Sequence, residues 1–243
     1  MRIELQPAYI LHTRPYRDTS LLVDFFTPDF GRISAIARGV RQRKGNKRQL
    51  LNPFLRLLIS WQGKTDLKLL TSFESDNLHV HLQGQSLYSG FYLNELLMRL
   101  LPEMDPHSEI FALYQDTLAM LGSEVNVEPC LRKFEFQLLN DLGYGLDFSV
   151  DAVTQRELHS EGYYRCEAQQ GFIECPALVS SFSGVPSPLV FKGADLLAIA
   201  ADDYCAPETR QAAKQLARML LRPLLGNRPL QSRELFRQLS PRV

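Results

Sequence analysis

The chain has 243 residues, 45% apolar and 22% charged, with 27 Lys/Arg balanced by 27 Asp/Glu. That is enough apolar material for a real core in one large domain or two small ones, and it excludes disordered, collagen-like and disulfide-scaffold classes. No apolar run approaches the roughly 18 residues of a membrane span, and Met1–Pro7 places an acid and a proline where a secretory signal needs an apolar stretch, so a cytoplasmic protein with no membrane attachment is expected.

The first 75 residues read as short strands. Ala8–Leu11 ends towards Pro15, and Ser20–Thr27 runs into the turn signal Pro28-Asp29-Phe30-Gly31. Arg32–Arg38 then alternates polar and apolar residues as a half-buried strand does. Phe54–Trp61 and Leu67–Phe73 supply two more. Five short strands with one longer connection between the third and fourth predict a small Greek-key barrel of the OB type. An SH3-like barrel is the alternative that periodicity does not separate.

After Asp76 the period changes. Leu87, Phe91, Leu93, Leu96, Leu97, Leu100 and Leu101 mark a helix stopped by Pro102. Ile110–Leu121 continues at helical spacing to Gly122. Pro129 opens a third helix through Leu131, Phe134 and Leu142, with Gly143 at its end. Residues 144–187 are mixed, with strand-like pieces at Tyr163–Arg165 and Gly171–Ile173. A helical block from about Pro207 to Leu225 breaks at Gly226–Pro229 and resumes at Ser232, a plausible N-cap. The fold class expected is therefore α+β, with an OB-type barrel over 1–80 and a helical domain over 81–243. A small irregular β insertion falls at about 145–190.

The balanced charge conceals an asymmetry. Residues 1–80 carry 13 Lys/Arg against 7 Asp/Glu, residues 81–160 carry 4 against 12, and residues 209–243 carry 8 against 1. Basic ends around an acidic middle point to a polyanion partner. Arg32–Lys64 holds no acid at all, and its centre, Arg38–Arg48, is a glycine-punctuated basic loop with Arg38, Arg41, Arg43, Lys44, Lys47 and Arg48. Such a loop can follow a phosphate backbone by releasing condensed counterions, with Tyr9, Phe26, Phe30 and Trp61 as nearby flat surfaces. The plain alternative is a solubilising loop over core aromatics. Arg210, Lys214, Arg218 and Arg222 recur every four residues and form a second stripe, which could equally be internal charge balance. Arg132-Lys133 beside Leu131, Phe134 and Phe136 could hold an acidic-hydrophobic peptide tail, or could be a surface pair matched to Glu128 and Glu135.

Nothing points to bond-making chemistry. Phosphate-loop, nucleophile-elbow and zincin patterns are absent, and Gly143-Tyr144-Gly145 lacks a third glycine. His79-Val80-His81 lacks a suitable third ligand nearby, and Cys130, Cys166, Cys175 and Cys205 form no C-x-x-C pair. No enzyme, no cofactor and no metal are expected.

Five segments carry a resemblance: Tyr9–Tyr16, Leu87–Leu97 with its Tyr-Ser-Gly start, Arg132–Glu135, Leu142–Gly145, and Ser232-Arg233-Glu234-Leu235-Phe236. Together they resemble the RecO family of bacterial recombination mediators, closest to its proteobacterial members. The resemblance implies an N-terminal OB domain and a helical body. It also implies a small region that in some relatives holds a four-cysteine zinc site. Only Cys166 and Cys175 fall in that region here, so no metal is expected. It further implies binding of single- and double-stranded DNA, annealing of complementary strands, and action with RecR and sometimes RecF in the RecF pathway of DNA repair. Loading of recombinase onto DNA coated by single-stranded-DNA-binding protein, whose acidic tail is recognised, completes the set, in a cytoplasmic, nucleoid-associated setting. Arg132 and Lys133 match the family's basic pair, which favours tail binding there. Arg14, Arg32, Arg38, Arg41, Arg43, Lys44, Lys47 and Arg48 are the expected DNA contacts. From the residues alone, a generic RNA-binding OB protein remains the other reading.

Overall fold

Alternation decides the first strands. In a computed structural model, which describes residues 2–42, 50–123, 126–167, 170–175 and 189–239, β3 (Gly31–Ala37) shows buried and half-buried residues in strict turn, as its sequence requires. β2 (Ser20–Thr27) reads as a continuous apolar run because both of its faces are covered. β1 (Arg2–Tyr16) pairs with β2 through its second half and with β4 (Leu55–Gln62) through its first half. β5 (Leu67–His79) runs antiparallel to β4 and parallel to β3, which closes the barrel in the order β1-β2-β3-β5-β4. The parallel β3–β5 pair in a closed five-strand Greek key settles the barrel as OB-type.

Ala8, Ile10, Val23, Phe25, Ile33, Ala35, Leu57, Ile59 and Trp61 fill the barrel, each large side chain contributing about 1.5–3 kcal/mol of burial. A bulge between Ile10 and His12 turns the rest of β1 outward. Gly31 closes the β2–β3 turn at φ +62, where a Cβ would overlap the Asp105 carbonyl.

α1 (Gly84–Leu100) and α2 (Ser108–Gly122) follow the barrel. Asn94 of α1 donates to the Leu11 carbonyl at 2.9 Å, satisfying backbone that the bulge leaves open, and accepts from the Tyr114 hydroxyl of α2. Burial drives the Tyr114 phenol well above its ordinary pKa, so it stays a donor. Tyr9 and Phe26 lie on the outer barrel face under Phe111 and Tyr114, with ring centroids 5.1–6.4 Å apart.

The chain divides into two compact units, Met1–Val127 with Arg228–Val243, and Glu128–Asn227. The first unit ends with α6 (Gln231–Leu239), packed on α1. Ser232 does not cap this helix. The cap is Glu95 of α1, whose carboxylate accepts from the Gln231 and Ser232 amides, both at 2.9 Å, and from the Ser232 hydroxyl at 2.7 Å. Arg99, one turn further along α1, donates to the Arg228 carbonyl at 2.7 Å.

The second unit contains α3 (from Val127 to Asp141), a three-stranded sheet ordered β7-β6-β8, α4 (Gly193–Ala200) and α5 (Pro207–Leu225). Its strands are β6 (Tyr163–Glu167), β7 (Gly171–Glu174) and β8 (Val190–Lys192). Phe134, Leu138, Phe172, Phe191, Leu216 and Leu220 are among its buried side chains. Among the described residues, no helix is long and apolar enough to cross a membrane.

Candidate nucleic-acid interface

At one end of the barrel β1 turns into β2 through Arg17-Asp18-Thr19, and β3 exits through Arg38–Gln42. Two bonds join these segments: the Arg41 amide donates to the Thr19 carbonyl and its Nη1 to the Arg17 carbonyl, both at 3.0 Å. Arg14 stands on the outer face two residues before the turn, across from Leu22 of β2. Arg14, Arg17, Arg38 and Arg41 are all exposed, and none makes an ion pair among the described residues. The Arg17 guanidinium carbon lies 5.3 Å from the centroid of the Tyr16 ring. Four exposed guanidinium groups at one corner can receive an anion. Arg43, Lys44, Lys47 and Arg48 lie outside the described residues.

Three other cations of the barrel, Arg32, Arg56 and Lys68, have internal tasks. Arg32 is half-buried, with Nε donating to the Leu101 carbonyl at the end of α1 at 2.9 Å. Burial lowers its pKa, against the pull of Glu103 and Asp24. Arg56 pairs with Asp76 at 3.0 Å and donates to Gln115. Lys68 is buried and donates to the Thr65 carbonyl. Arg32 therefore braces the barrel against α1 and is not one of the open cations. The aromatic surfaces offered by the sequence are also occupied: Tyr9, Phe26 and Trp61 are buried, and Phe30 packs edge-on against Trp61 at 5.2 Å. Arg17, outside the acid-free stretch and beside Asp18, escapes a reading based on charge runs. Only the pairing of β1 with β2 and of β2 with β3 brings it to Arg41.

In the second unit the stripe on α5 divides. Arg210 donates to the Tyr204 and Cys205 carbonyls, and Lys214 pairs with Glu128 at 2.8 Å. The hydrogen bond from Lys214 holds the Glu128 carboxyl below its usual range. Arg218 and Arg222 are exposed, with no ion pair among the described residues. Arg132 and Lys133 diverge as well. Arg132 is buried, 2.8 Å from the buried Glu135, whereas Lys133 is half-buried and meets Asp202 at 2.9 Å. Lys133 borders a cavity of about 300 Å³ with Phe136, Tyr144, Phe148, Tyr204 and Leu220 in its lining. A cation at the rim of an aromatic cavity can receive a carboxylate beside an apolar side chain.

The small sheet does not suit a zinc ion. Among the described residues no three His, Cys, Asp or Glu side chains cluster as ligands. Burial pushes the Cys166 thiol up to about 12 and raises that of Cys175, opposing the thiolate that a metal requires. Asp151 organises the segment instead. Its Oδ1 accepts from the Val153 and Thr154 amides and the Thr154 hydroxyl, and its Oδ2 accepts from the Glu174 amide at 2.6 Å. Burial works against the carboxylate, but these bonds prevail and hold its pKa below the ordinary value.

Comparison with known proteins is consistent along the whole chain. The family model described as recombination protein O N terminal matches residues 1–77, and that described as recombination protein O C terminal matches residues 81–234. A DNA repair protein RecO from Cellvibrio japonicus is 58% identical over 99% of this chain and 100% of its own. The Haemophilus influenzae protein of the same name is 45% identical, covering 98% of each chain. That of Pseudomonas aeruginosa is also 45% identical, over 98% of this chain and 97% of its own. With the OB-type barrel and Glu95 and Ser232 of the recognised motifs in contact, the chain belongs to the RecO family of DNA repair proteins.

Proposed function

We propose that this protein is a recombination mediator of the RecF pathway that works by binding, without turnover or cofactor. The barrel corner of Arg14, Arg17, Arg38 and Arg41 would meet DNA, with Arg14, Arg38 and Arg41 holding the phosphates of single and double strands, and Arg43, Lys44, Lys47 and Arg48, next in the chain, are proposed to add to them. Screening of phosphate charge lets two complementary strands approach and anneal. The observation that carries this reading is that all four arginines are exposed with no ion pair among the described residues. Arg218 and Arg222 offer a second basic surface.

The partners proposed are RecR, RecF and single-stranded-DNA-binding protein, in the cytoplasm at the nucleoid. The acidic tail of the last would enter the cavity beside Lys133, displacing Asp202 from the ammonium group. Arg132, buried and paired with Glu135, is not itself a contact in this arrangement.

The test is a salt titration. Arg14, Arg38 and Arg41 changed together to Ala should weaken binding alike for all sequences. The change should also reduce the slope of log affinity against log salt by about 2 on single strands, at about 0.7 per lost phosphate contact. An unchanged slope excludes the corner as the contact. Competition between RNA and DNA strands of matched sequence decides against the generic RNA-binding alternative if DNA is held at least as tightly.

A further inference from the structure

We propose that the Tyr16–Arg17 corner is a stacking platform for one unpaired base, which gives the DNA surface a preference for single strands. The inference rests on the DNA-binding reading above and assigns a specific task within it. Three observations converge on the corner. The Arg17 guanidinium lies over the Tyr16 ring, its central carbon 5.3 Å from the ring centroid, so a planar cation and an aromatic ring already share the corner. Arg17 adopts φ +51, a left-handed conformation that residues with a Cβ seldom take. The turn is held in that form by the two bonds from Arg41 to the Arg17 and Thr19 carbonyls.

A conformation disfavoured for arginine, fixed from the segment that follows β3, accompanies a side chain that lies over the ring. The outer plane of Arg17 is then open. Guanidinium is weakly hydrated and planar, and it stacks on nucleobases as an aromatic ring does. Arg14, Arg38 and Arg41 surround the corner with positive charge for the phosphates on either side of a stacked base, and Asp18 is the one acid within the turn. A duplex keeps the faces of its bases covered by their neighbours. It can therefore use the surrounding arginines but not the platform, whereas a single strand uses both.

The experiment measures binding of the full chain to a labelled oligothymidine strand and to a labelled duplex of equal length. Arg17→Lys retains the charge and both backbone bonds and removes the planar surface. Expected is a loss of roughly fivefold on the single strand, at the lower end of one base stack, with duplex affinity and both salt slopes unchanged. Tyr16→Leu, which removes the lower layer, should act in the same direction. Undiminished single-strand binding by both variants overturns the platform, as does an equal loss on single strand and duplex. If wild-type protein binds neither nucleic acid, the DNA-binding reading itself falls and takes the platform with it. If it binds both and only the Arg14, Arg38 and Arg41 variants weaken it, the reading stands and the platform falls.

Discussion

Arg132 and Lys133 are adjacent in the chain and meet different dielectrics. The Arg132–Glu135 pair is buried, 2.8 Å apart, and removal of one member of such a pair typically costs about 3–5 kcal/mol because the remaining charge stays desolvated. Arg132→Ala should therefore lower the unfolding free energy by that amount in urea melts. Lys133→Ala, which breaks an exposed pair with Asp202, should change it by less than about 1 kcal/mol. A loss of tail-peptide binding in Lys133→Ala alone would then report a contact, while a loss in Arg132→Ala would follow from folding. Asp151 makes a similar prediction with a pH signature. Asparagine there offers one acceptor oxygen against donors on both sides, so Asp151→Asn should cost about 1–3 kcal/mol at neutral pH. Because the folded-state pKa lies below the unfolded value near 3.9, this contribution is complete above that value and disappears as pH falls through the folded one. Urea melts should show wild type and variant converging as the pH falls below about 4. At this scale the sequence was a partial guide. It showed which residues carry charge, but Arg32, Arg210 and Lys214 are cations with internal partners. Nothing local distinguishes them from Arg38 or Arg218.

Elements with a strong period were legible, and those shaped by long-range pairing were not. The alternation in Arg32–Ala37 and the apolar spacing from Leu87 to Leu101 announce β3 and α1 directly. β1 is far longer than its apolar centre suggests, since the polar residues from Arg2 to Gln6 and from His12 to Tyr16 are held by partner strands. Pro15 pairs opposite Leu21 without ending the strand. The short α4 is not among the elements expected from the sequence. The start of α6 shows the same limit: Ser232 resembles a cap in sequence, yet the oxygens that receive the first amides belong to Glu95, 136 positions away from Gln231. Burial opposes the Glu95 carboxylate, and the hydrogen bonds from Ser232 and Gln231, with the charge of Arg99, outweigh it and keep it ionised to lower pH than usual. Glu95→Ala should remove about 1–2 kcal/mol of local stability. Amide hydrogen exchange should register it across α6 while the barrel strands keep their protection. Uniform loss of protection in both would show that the contact is not a local cap.

Over the whole molecule, equal numbers of acids and bases leave no net charge, yet they are not evenly used. The cations that find carboxylates inside the protein are silent outwardly, and the exposed cations with no ion pair among the described residues include those of the barrel corner and Arg218 and Arg222 of α5. Recognition of the family from five short segments worked because several of those residues bear on packing: Asn94 closes the β1 bulge, and Glu95 meets Ser232. Their spacing is a record of contacts across the chain. The first unit is interrupted by the second, since it is left at Val127 and rejoined at Arg228. During synthesis, then, the barrel and its first two helices emerge from the ribosome roughly a hundred residues before the piece that finishes them, at a time when domains ordinarily fold as they appear. Glu95 must wait through translation of the entire interruption for its amides, so α6 can dock on α1 only after the second unit has been made.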